Sequence, residues 1–430
     1  MTYQQTIDYL YNQLPMFERQ GAGAYKPGLK TSEDLDNMFG NPHRNYRIIH
    51  VAGTNGKGSV SHFLASILQS SGYKVGLYTS PHLVDFRERI RVNGEMIEKE
   101  AVTSFLQRYL DHGYNGSPTF FELTSTMAFE YFALRKVDFA IIEVGLGGRL
   151  DSTNIVTPTL SVITNISLDH TQFLGSTLAE VASEKAGIIK PNVPVVVGEA
   201  VKSTRRVFEQ KAMECGSKLT FACDNKLTTR SVHRNNMLLV STTNYGTLKS
   251  PLLGNYQVKN MNTVLNAVEV LIEQGVRISP FHVSQGIENV VGTTGIIGRW
   301  MQLNDEPRVV CDSGHNIGAF KNIVRQLKRE PCNKMRIVVG FMADKSVEPI
   351  LSMLPHDACY YFTQADSPRA LPAVDLLAIA KNVGLHGKSC PVATQAYAAA
   401  LNDSAPDDFI YVGGSMYVLA EILAEVVKEC

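Results

Sequence analysis

Residues 46–80 read YRIIHVAGTNGKGSVSHFLASILQSSGYKVGLYTS, and the order of their parts decides the fold. An apolar run (Ile48, Ile49, Val51) leads into a glycine-rich turn, the turn opens into an amphipathic segment, and a second apolar run follows. Strand, glycine turn and helix in that order is the layout of a phosphate-binding loop. In Gly53-Thr54-Asn55-Gly56-Lys57-Gly58-Ser59 the glycines let successive backbone N–H groups turn inward around an anion. The helix that follows adds its positive end, and Lys57 a point charge for the outer phosphates. The spacing departs from the common pattern, which wants glycine where Val51 stands and has no residue like Gly58 between Lys57 and Ser59. The alternative is a tight strand–helix turn with a solvent-exposed lysine. The loop by itself says nucleotide and leaves the reaction open.

Working outward, apolar runs alternate with helical patterns at KVGLYTS, DFAIIEVG, LSVITNI and VPVVVGE, which predicts an α/β fold with a largely parallel sheet. The stretch LTTRSVHRNNMLLVSTTNYGTLKSPLL is richer in Thr, Ser and Asn and predicts a few antiparallel strands. After the glycine-rich VGTTGIIGRW a second α/β alternation begins at PRVVCDSGHN. At 430 residues the chain is too long for one core, and the expected division is 1–295 and 296–430. Equal numbers of basic and acidic residues, 41 each, give no electrostatic footprint for nucleic acid or an anionic membrane. Seven cysteines without a CxxC pair fit reduced thiols rather than a disulfide framework or a zinc site. The opening MTYQQTIDYLYNQL lacks the form of a signal peptide, and no apolar run is long enough to span a bilayer, so a soluble cytoplasmic protein is expected.

Ligands of an open parallel sheet gather beyond the carboxyl ends of its strands. Ser80 follows one such strand and is either a hydroxyl ligand to a hard cation or part of a Ser-Pro turn. Glu143 closes a wholly apolar strand, where an unpaired charge is costly, so a magnesium ligand is the better reading. The following Gly145-Leu146-Gly147-Gly148 is no dinucleotide fingerprint, because Leu150 stands where its third glycine should be. His170 ends a third strand region and is a ligand or a hydrogen-bonded structural residue. Lys185 lies on a helix beside Val181, Ile188 and Ile189. It belongs either to a solvated face with Glu184 and Lys190 or turns toward the metal site. Arg299, before a strand ending in Asp312, His315 and Asn316, suits clamping a phosphoryl group or forming an interdomain salt bridge.

Together HVAGTNGKGS, GLYTSPHLVDFRERIRVNG, TFFELTSTMAF, IIEVGLGGRLDSTN, LDHTQFLGSTLAEVASEKAGIIK, GNYQVKNM, GRW, CDSGHN, ADKS, PRAL and GGSMYV occur in one order from about Tyr46 to Val418. The set resembles the Mur ligase superfamily and, within it, the dihydrofolate synthase/folylpolyglutamate synthase family. The resemblance implies a larger P-loop-type ATPase domain, a smaller C-terminal Rossmann-like domain and an active site in the cleft that domain closure completes. It implies ATP as co-substrate held by Gly53 to Ser59, with Asn260, Arg299, Asp312 and His315. It implies magnesium, two ions suiting in-line transfer, on Ser80, Glu143 and His170. Lys185 is similar to the lysine that this family carboxylates on its ε-nitrogen. Thr119, Phe120, Phe121 and Glu122, with Leu150, Asp151 and Ser152, align with pterin-binding positions.

Lys57, Glu143, His170, Lys185 and Arg299 would then carry catalysis. The implied reaction phosphorylates a carboxylate with ATP and lets the amine of L-glutamate displace phosphate from the acyl phosphate. The substrates are dihydropteroate and folates, with the bifunctional type expected and a monomeric, cytoplasmic enzyme. Departures from the family pattern are Tyr256 for the His of GxHQ, Ser313-Gly314 for the commoner small pair before His-Asn, and Ser346 for the Asp of DKD. GAGAYKPGLKTSEDL aligns only loosely with the N-terminal pterin segment, which leaves Tyr25, Lys26 and Pro27 unassigned. The rival readings are a UDP-muramoyl amino-acid ligase, which wants a UDP-binding domain before Tyr46, a nucleotide-binding P-loop switch, and a catalytically dead relative. Glu143, His170 and Lys185 argue against the last.

Overall fold

The computed structural model describes residues 1–16 and 28–429. Apolar β-branched runs that are buried on both faces form its largest sheet, as a parallel sheet covered by helices requires. Its strands are β1 (Arg47–Ala52), β2 (Val75–Tyr78), β3 (Ile90–Val92), β4 (Glu95–Met96), β5 (Phe139–Glu143), β6 (Leu160–Ile163), β7 (Val195–Val197) and β8 (Leu219–Phe221). They lie in the order β4-β3-β2-β5-β1-β6-β7-β8. From β2 to β8 every pairing is parallel. The β3–β4 hairpin, turned by Asn93-Gly94, adds the antiparallel edge that the apolar periodicity did not announce.

A separate antiparallel sheet follows, built of β9 (Thr228–Arg234), β10 (Met237–Thr242) and β11 (Thr247–Ser250) in the order β11-β10-β9. It occupies the Thr-, Ser- and Asn-rich stretch, as its alternating pattern predicted. The third sheet has β12 (Met301–Asn304), β13 (Arg308–Cys311), β14 (Met335–Val339), β15 (Cys359–Phe362), β16 (Gly387–Ser389) and β17 (Phe409–Gly413) in the order β12-β13-β17-β14-β15-β16. All its pairings are parallel except β12 on β13.

The chain divides into two compact units. The first holds residues 1–82, 86–251 and 257–296; the second holds 83–85, 252–256 and 297–430. In the first unit Phe105, Phe129, Phe132, Ile142 and their neighbours form a buried cluster on one side of the sheet. Ala52, Ile163, Val195 and Phe208 form another. In the second unit Trp300, Phe320, Ile337 and Tyr411 pack together. The segment 253–255 is held there by Gln326, whose amide donates to Leu253 O (3.0 Å) and accepts from Asn255 N (2.7 Å). Among the described residues no helix is long and apolar enough to cross a membrane.

Candidate active site

Four neighbouring strands of the large sheet, β2, β5, β1 and β6, run parallel, so their carboxyl ends share one edge. That edge carries Ser80 after β2, Glu143 as the last residue of β5, the phosphate loop after β1, and His170 beyond β6. Register ties them: Val51 of β1 stands opposite Glu143, and Val51 also pairs Val162 of β6. Topology thus assembles what sequence scatters over more than a hundred residues.

The loop turns under two glycines. Gly53 has φ +145°, and a Cβ there would stand 1.9 Å from Thr164 Oγ1. Gly56 has φ +85°, and its Cβ would stand 2.4 Å from Asn260 Oδ1. No other residue fits either position. The helix Lys57–Ser70 starts at Gly56 with no side-chain cap, so its first N–H groups remain for a ligand. Lys57 Nζ donates to its own loop at Gly53 O (3.1 Å) and Thr54 O (3.4 Å).

The segment 164–167 after β6 grips the loop from beside it. Thr164 Oγ1 donates to Asn55 O (2.6 Å), Asn165 Oδ1 accepts from Asn55 N (3.0 Å), and Asn55 Nδ2 donates to Ser167 Oγ (3.1 Å). Thr54 Oγ1 donates to Ser167 O (3.1 Å) and accepts from Ser167 N at the same distance. These three residues escaped the sequence reading. The signal was there, in a polar TNIS run at the end of a buried strand.

Glu143 is buried, 4 % exposed, at the end of an apolar strand. His170 is half-buried in a left-handed conformation (φ 49°), with Asp169 Oδ1 at 3.9 Å from its Nε2. Ser80 is half-buried after β2. Among the described residues no three His, Cys, Asp or Glu side chains form a metal cluster. The set at this edge is one carboxylate, one hydroxyl and one imidazole. That set fits magnesium, which keeps waters and takes few protein ligands when phosphates supply the rest.

Lys185 belongs to the helix Leu178–Ala186 and is buried, 4 % exposed, rather than on a solvated face. Burial chiefly, then the Lys57 charge, pushes its amine down to about 7, against the pull of Asp169, Asp151 and Glu184. The helix is held close to the loop after Glu143. A Cβ on Gly148 would stand 3.0 Å from Lys185 Cα, and one on Gly187 would stand 2.4 Å from Arg149 Cα.

The aligned pterin positions divide into rings and scaffolding. Thr119 and Glu122 form a capping box for the helix Phe120–Leu134: Glu122 Oε2 accepts from Thr119 N (2.7 Å) and Oγ1 (2.8 Å), and Glu122 N donates to Thr119 Oγ1 (3.2 Å). Phe120 stacks on Tyr11 at 5.5 Å, and the Phe121 ring lies against Gly145 and Tyr78. Leu150 is half-buried and precedes Asp151, whose buried carboxylate holds its own loop. It accepts from Leu146 N (2.8 Å), Thr153 N (3.0 Å) and Thr153 Oγ1 (2.5 Å), while burial pushes it up. Ser152 Oγ meets Ser125 Oγ at 3.1 Å. Beneath them the fully buried His50 contacts Thr153 Oγ1 through Nε2 (2.9 Å), and burial drops its ring to about 3, so it stays neutral. Because Thr153 Oγ1 spends its proton on Asp151, His50 Nε2 must be the donor to it. Tyr25, Lys26 and Pro27 lie outside the described residues.

In the second unit Arg299 Nη1 donates to Ser313 Oγ and to Gly298 O (3.1 Å), and among the described residues it forms no ion pair. Asp312 is 3 % exposed and accepts from Tyr256 Oη (2.5 Å), Trp300 N (2.9 Å) and Gly314 N (2.8 Å). Burial raises it while those donors and Arg299 oppose the rise. Tyr256 thus spends its hydroxyl on this carboxylate. His315 is half-buried, its Nδ1 3.1 Å from Ser313 O.

A mixed α/β sheet with a glycine-rich loop at its carboxyl edge is thus followed in the chain by a second α/β unit. The Mur ligase middle domain matches residues 51–268, and the Mur ligase glutamate ligase domain matches 298–416. The chain is 32 % identical over 436 residues to the folylpolyglutamate synthase of Lacticaseibacillus casei, covering 98 % of each. It is 34 % identical over 382 residues to the dihydrofolate synthase/folylpolyglutamate synthase of Bacillus subtilis, covering 82 % of this chain and 84 % of the other. The solved structure of Escherichia coli FolC in complex with DHPP and ADP superposes with a TM-score of 0.85 at 30 % identity, over 100 % of this chain and 98 % of that one. The chain belongs to the dihydrofolate synthase/folylpolyglutamate synthase family of Mur ligases, and it is a ligase.

Proposed function

We propose that the chain joins L-glutamate to dihydropteroate and to the γ-carboxylate of folates at the expense of ATP, releasing ADP and phosphate. The observation that carries this reading is the shared carboxyl edge of β2, β5, β1 and β6, which holds an uncapped helix N-terminus after β1 and a buried carboxylate at the end of β5. The bare carboxylate of the acceptor is a poor electrophile. Its attack on the γ-phosphorus of ATP breaks the β–γ bond and gives an acyl phosphate. The glutamate amine adds to the acyl carbon, loses a proton, and phosphate leaves from the tetrahedral intermediate.

Such a transfer needs positive groups around crowded anionic oxygens. Gly56 to Ser59 supply N–H groups, those of Thr54 and Asn55 being spent on Asn165, and Lys57 leaves its loop carbonyls for the outer phosphates. Arg299, which forms no ion pair among the described residues, is a second cation for phosphoryl oxygens. Asn260 and His315 serve the nucleotide, and Asp312 acts by holding the Arg299–Trp300 turn. Ser80, Glu143 and His170 would hold magnesium, which neutralises phosphate charge when bound. Lys185 takes the carbamate role. Its amine is largely neutral at about pH 7.5, whereas an ordinary lysine is neutral in roughly one molecule per thousand. The neutral Nζ can attack carbon dioxide, form the N–C bond and lose a proton, turning a cation into an anion. Phe120, Phe121, Leu150 and Ser152 line the acceptor side, with Thr119, Glu122 and Asp151 fixing their backbone.

Phosphate release is the test, with ATP and glutamate plus either dihydropteroate or tetrahydrofolate. Release that requires both acceptor and amine, with either acceptor, fits the bifunctional ligase. Release with tetrahydrofolate alone restricts it to polyglutamylation. Slow release indifferent to both acceptors would mean a nucleotide switch, and turnover only with a UDP-muramoyl acceptor would mean a cell-wall ligase.

A further inference from the structure

Behind the phosphate loop, three buried side chains form a hydrogen-bonded row. Gln257 is fully buried, Ser59 is 1 % exposed and Asn260 is 6 % exposed. Gln257 Nε2 donates to Ser59 Oγ (3.1 Å), and Gln257 Oε1 accepts from Asn260 Nδ2 (2.8 Å). Gln257 and Asn260 sit one turn apart on the helix Gln257–Glu273, and Ser59 lies in the first turn of Lys57–Ser70.

The same contacts would survive if both amides were reversed, so direction needs its own argument. Gly56 supplies it. The side of Gly56 that would bear a Cβ faces Asn260 Oδ1, since that Cβ would stand 2.4 Å from the oxygen. A Cα–H group is weakly positive and suits a carbonyl oxygen, whereas an amide NH2 there would oppose two hydrogens. With the Asn260 oxygen fixed toward Gly56, its NH2 meets Gln257 Oε1. The Gln257 NH2 then meets Ser59. Ser59 Oγ accepts, and its own proton remains to be donated. The Asn260 carbonyl keeps a lone pair to accept.

We propose that Gln257 is a positioning residue that sets the hydrogen-bond polarity of the nucleotide site. It leaves the Ser59 proton for a phosphate oxygen and keeps Asn260 as an acceptor for the exocyclic amine of adenine. The proposal rests on the reading of ATP as co-substrate. Glutamine performs both tasks at position 257; a carboxylate only accepts, and methionine, close in size, does neither.

The test measures binding of magnesium–ATP and magnesium–ITP by calorimetry to the full chain, to Gln257→Glu and to Gln257→Met, with folding checked by thermal melting. ITP presents a carbonyl where ATP has the amine. Unaltered protein favours ATP about tenfold or more, the size of one hydrogen bond with an unpaired group in the wrong ligand. Measured up to about pH 9.5, so that a buried carboxyl ionises, Gln257→Glu weakens both nucleotides about tenfold and keeps their ratio, because Asn260 still donates to it. Gln257→Met weakens both and brings the ratio near one, because Asn260 is free to turn. Should Gln257→Met fail to fold, the Gln257→Glu arm stands alone. Wild-type affinity in Gln257→Glu, a preserved ratio in a folded Gln257→Met, or equal binding of ATP and ITP by the unaltered protein would overturn the proposal. Binding of neither nucleotide by the unaltered protein would instead overturn the ligase reading, and this proposal with it.

Discussion

Two lysines of the first unit illustrate how one side chain serves opposite purposes. Lys57 opens a helix in a half-buried glycine loop, its ammonium resting on the carbonyls of Gly53 and Thr54. Lys185 closes a helix in a buried setting, where desolvation and the Lys57 charge push its amine down to about 7. The first rests on carbonyl oxygens at the rim of its loop; the second sheds a proton because burial withholds solvent from its charge. One is ready to meet phosphate, the other to meet carbon dioxide.

The largest effect is expected from Glu143, the carboxylate at the end of β5. Glu143→Ala should lower ligation by about a thousandfold or more while leaving the fold intact, since it removes the buried carboxylate proposed to hold magnesium. Near-normal phosphate release at saturating magnesium would refute its role. Next comes Lys57→Met, expected to cost roughly a hundredfold to a thousandfold in kcat, as for loss of one preorganised donor to transition-state charge. Removal of that neighbouring cation should also raise the Lys185 amine, which sharpens the contrast.

Lys185→Met should cost on the order of a hundredfold, and short carboxylates such as formate should restore part of the rate by replacing the carbamate. The pH dependence has a definite sign. With an amine near 7, the ammonium predominates below that pH and the carbamate is lost, whereas reactivation by bicarbonate should proceed above it. Smallest is His50→Leu, which breaks the donor to Thr153 beneath the Asp151 loop. It should raise KM for the pteroate acceptor several-fold with KM for ATP unchanged, and His50→Gln, which keeps an N–H at that distance, should restore it.

Much of this was legible before any coordinates. The phosphate loop, Ser80, Glu143 and His170 each follow a readable apolar run, and the parallel sheet explains why such endings converge. Burial of Lys185 was not legible: its neighbours Glu184 and Lys190 suit a solvated face, and the close backbone approach of the 148–149 loop to this helix is a long-range contact. The grip of Thr164, Asn165 and Ser167 on the loop joins residues more than a hundred positions apart, beyond the reach of local periodicity. Thr119 and Glu122 teach the opposite caution. Their spacing is a helix-capping signal, and the structure spends both side chains on that cap. Asp312 carries the same warning, because a carboxylate at a strand end that looks poised for a ligand is already receiving Tyr256, Trp300 and Gly314.

The division of labour between the two lysines can be read directly by carbon NMR of the full chain equilibrated with isotopically labelled bicarbonate above neutral pH. A single carbamate resonance that disappears in Lys185→Met and persists in Lys57→Met, at a somewhat higher pH of half-formation, is the result the account predicts. Absence of that resonance from the unaltered protein, or its survival in Lys185→Met, would contradict it.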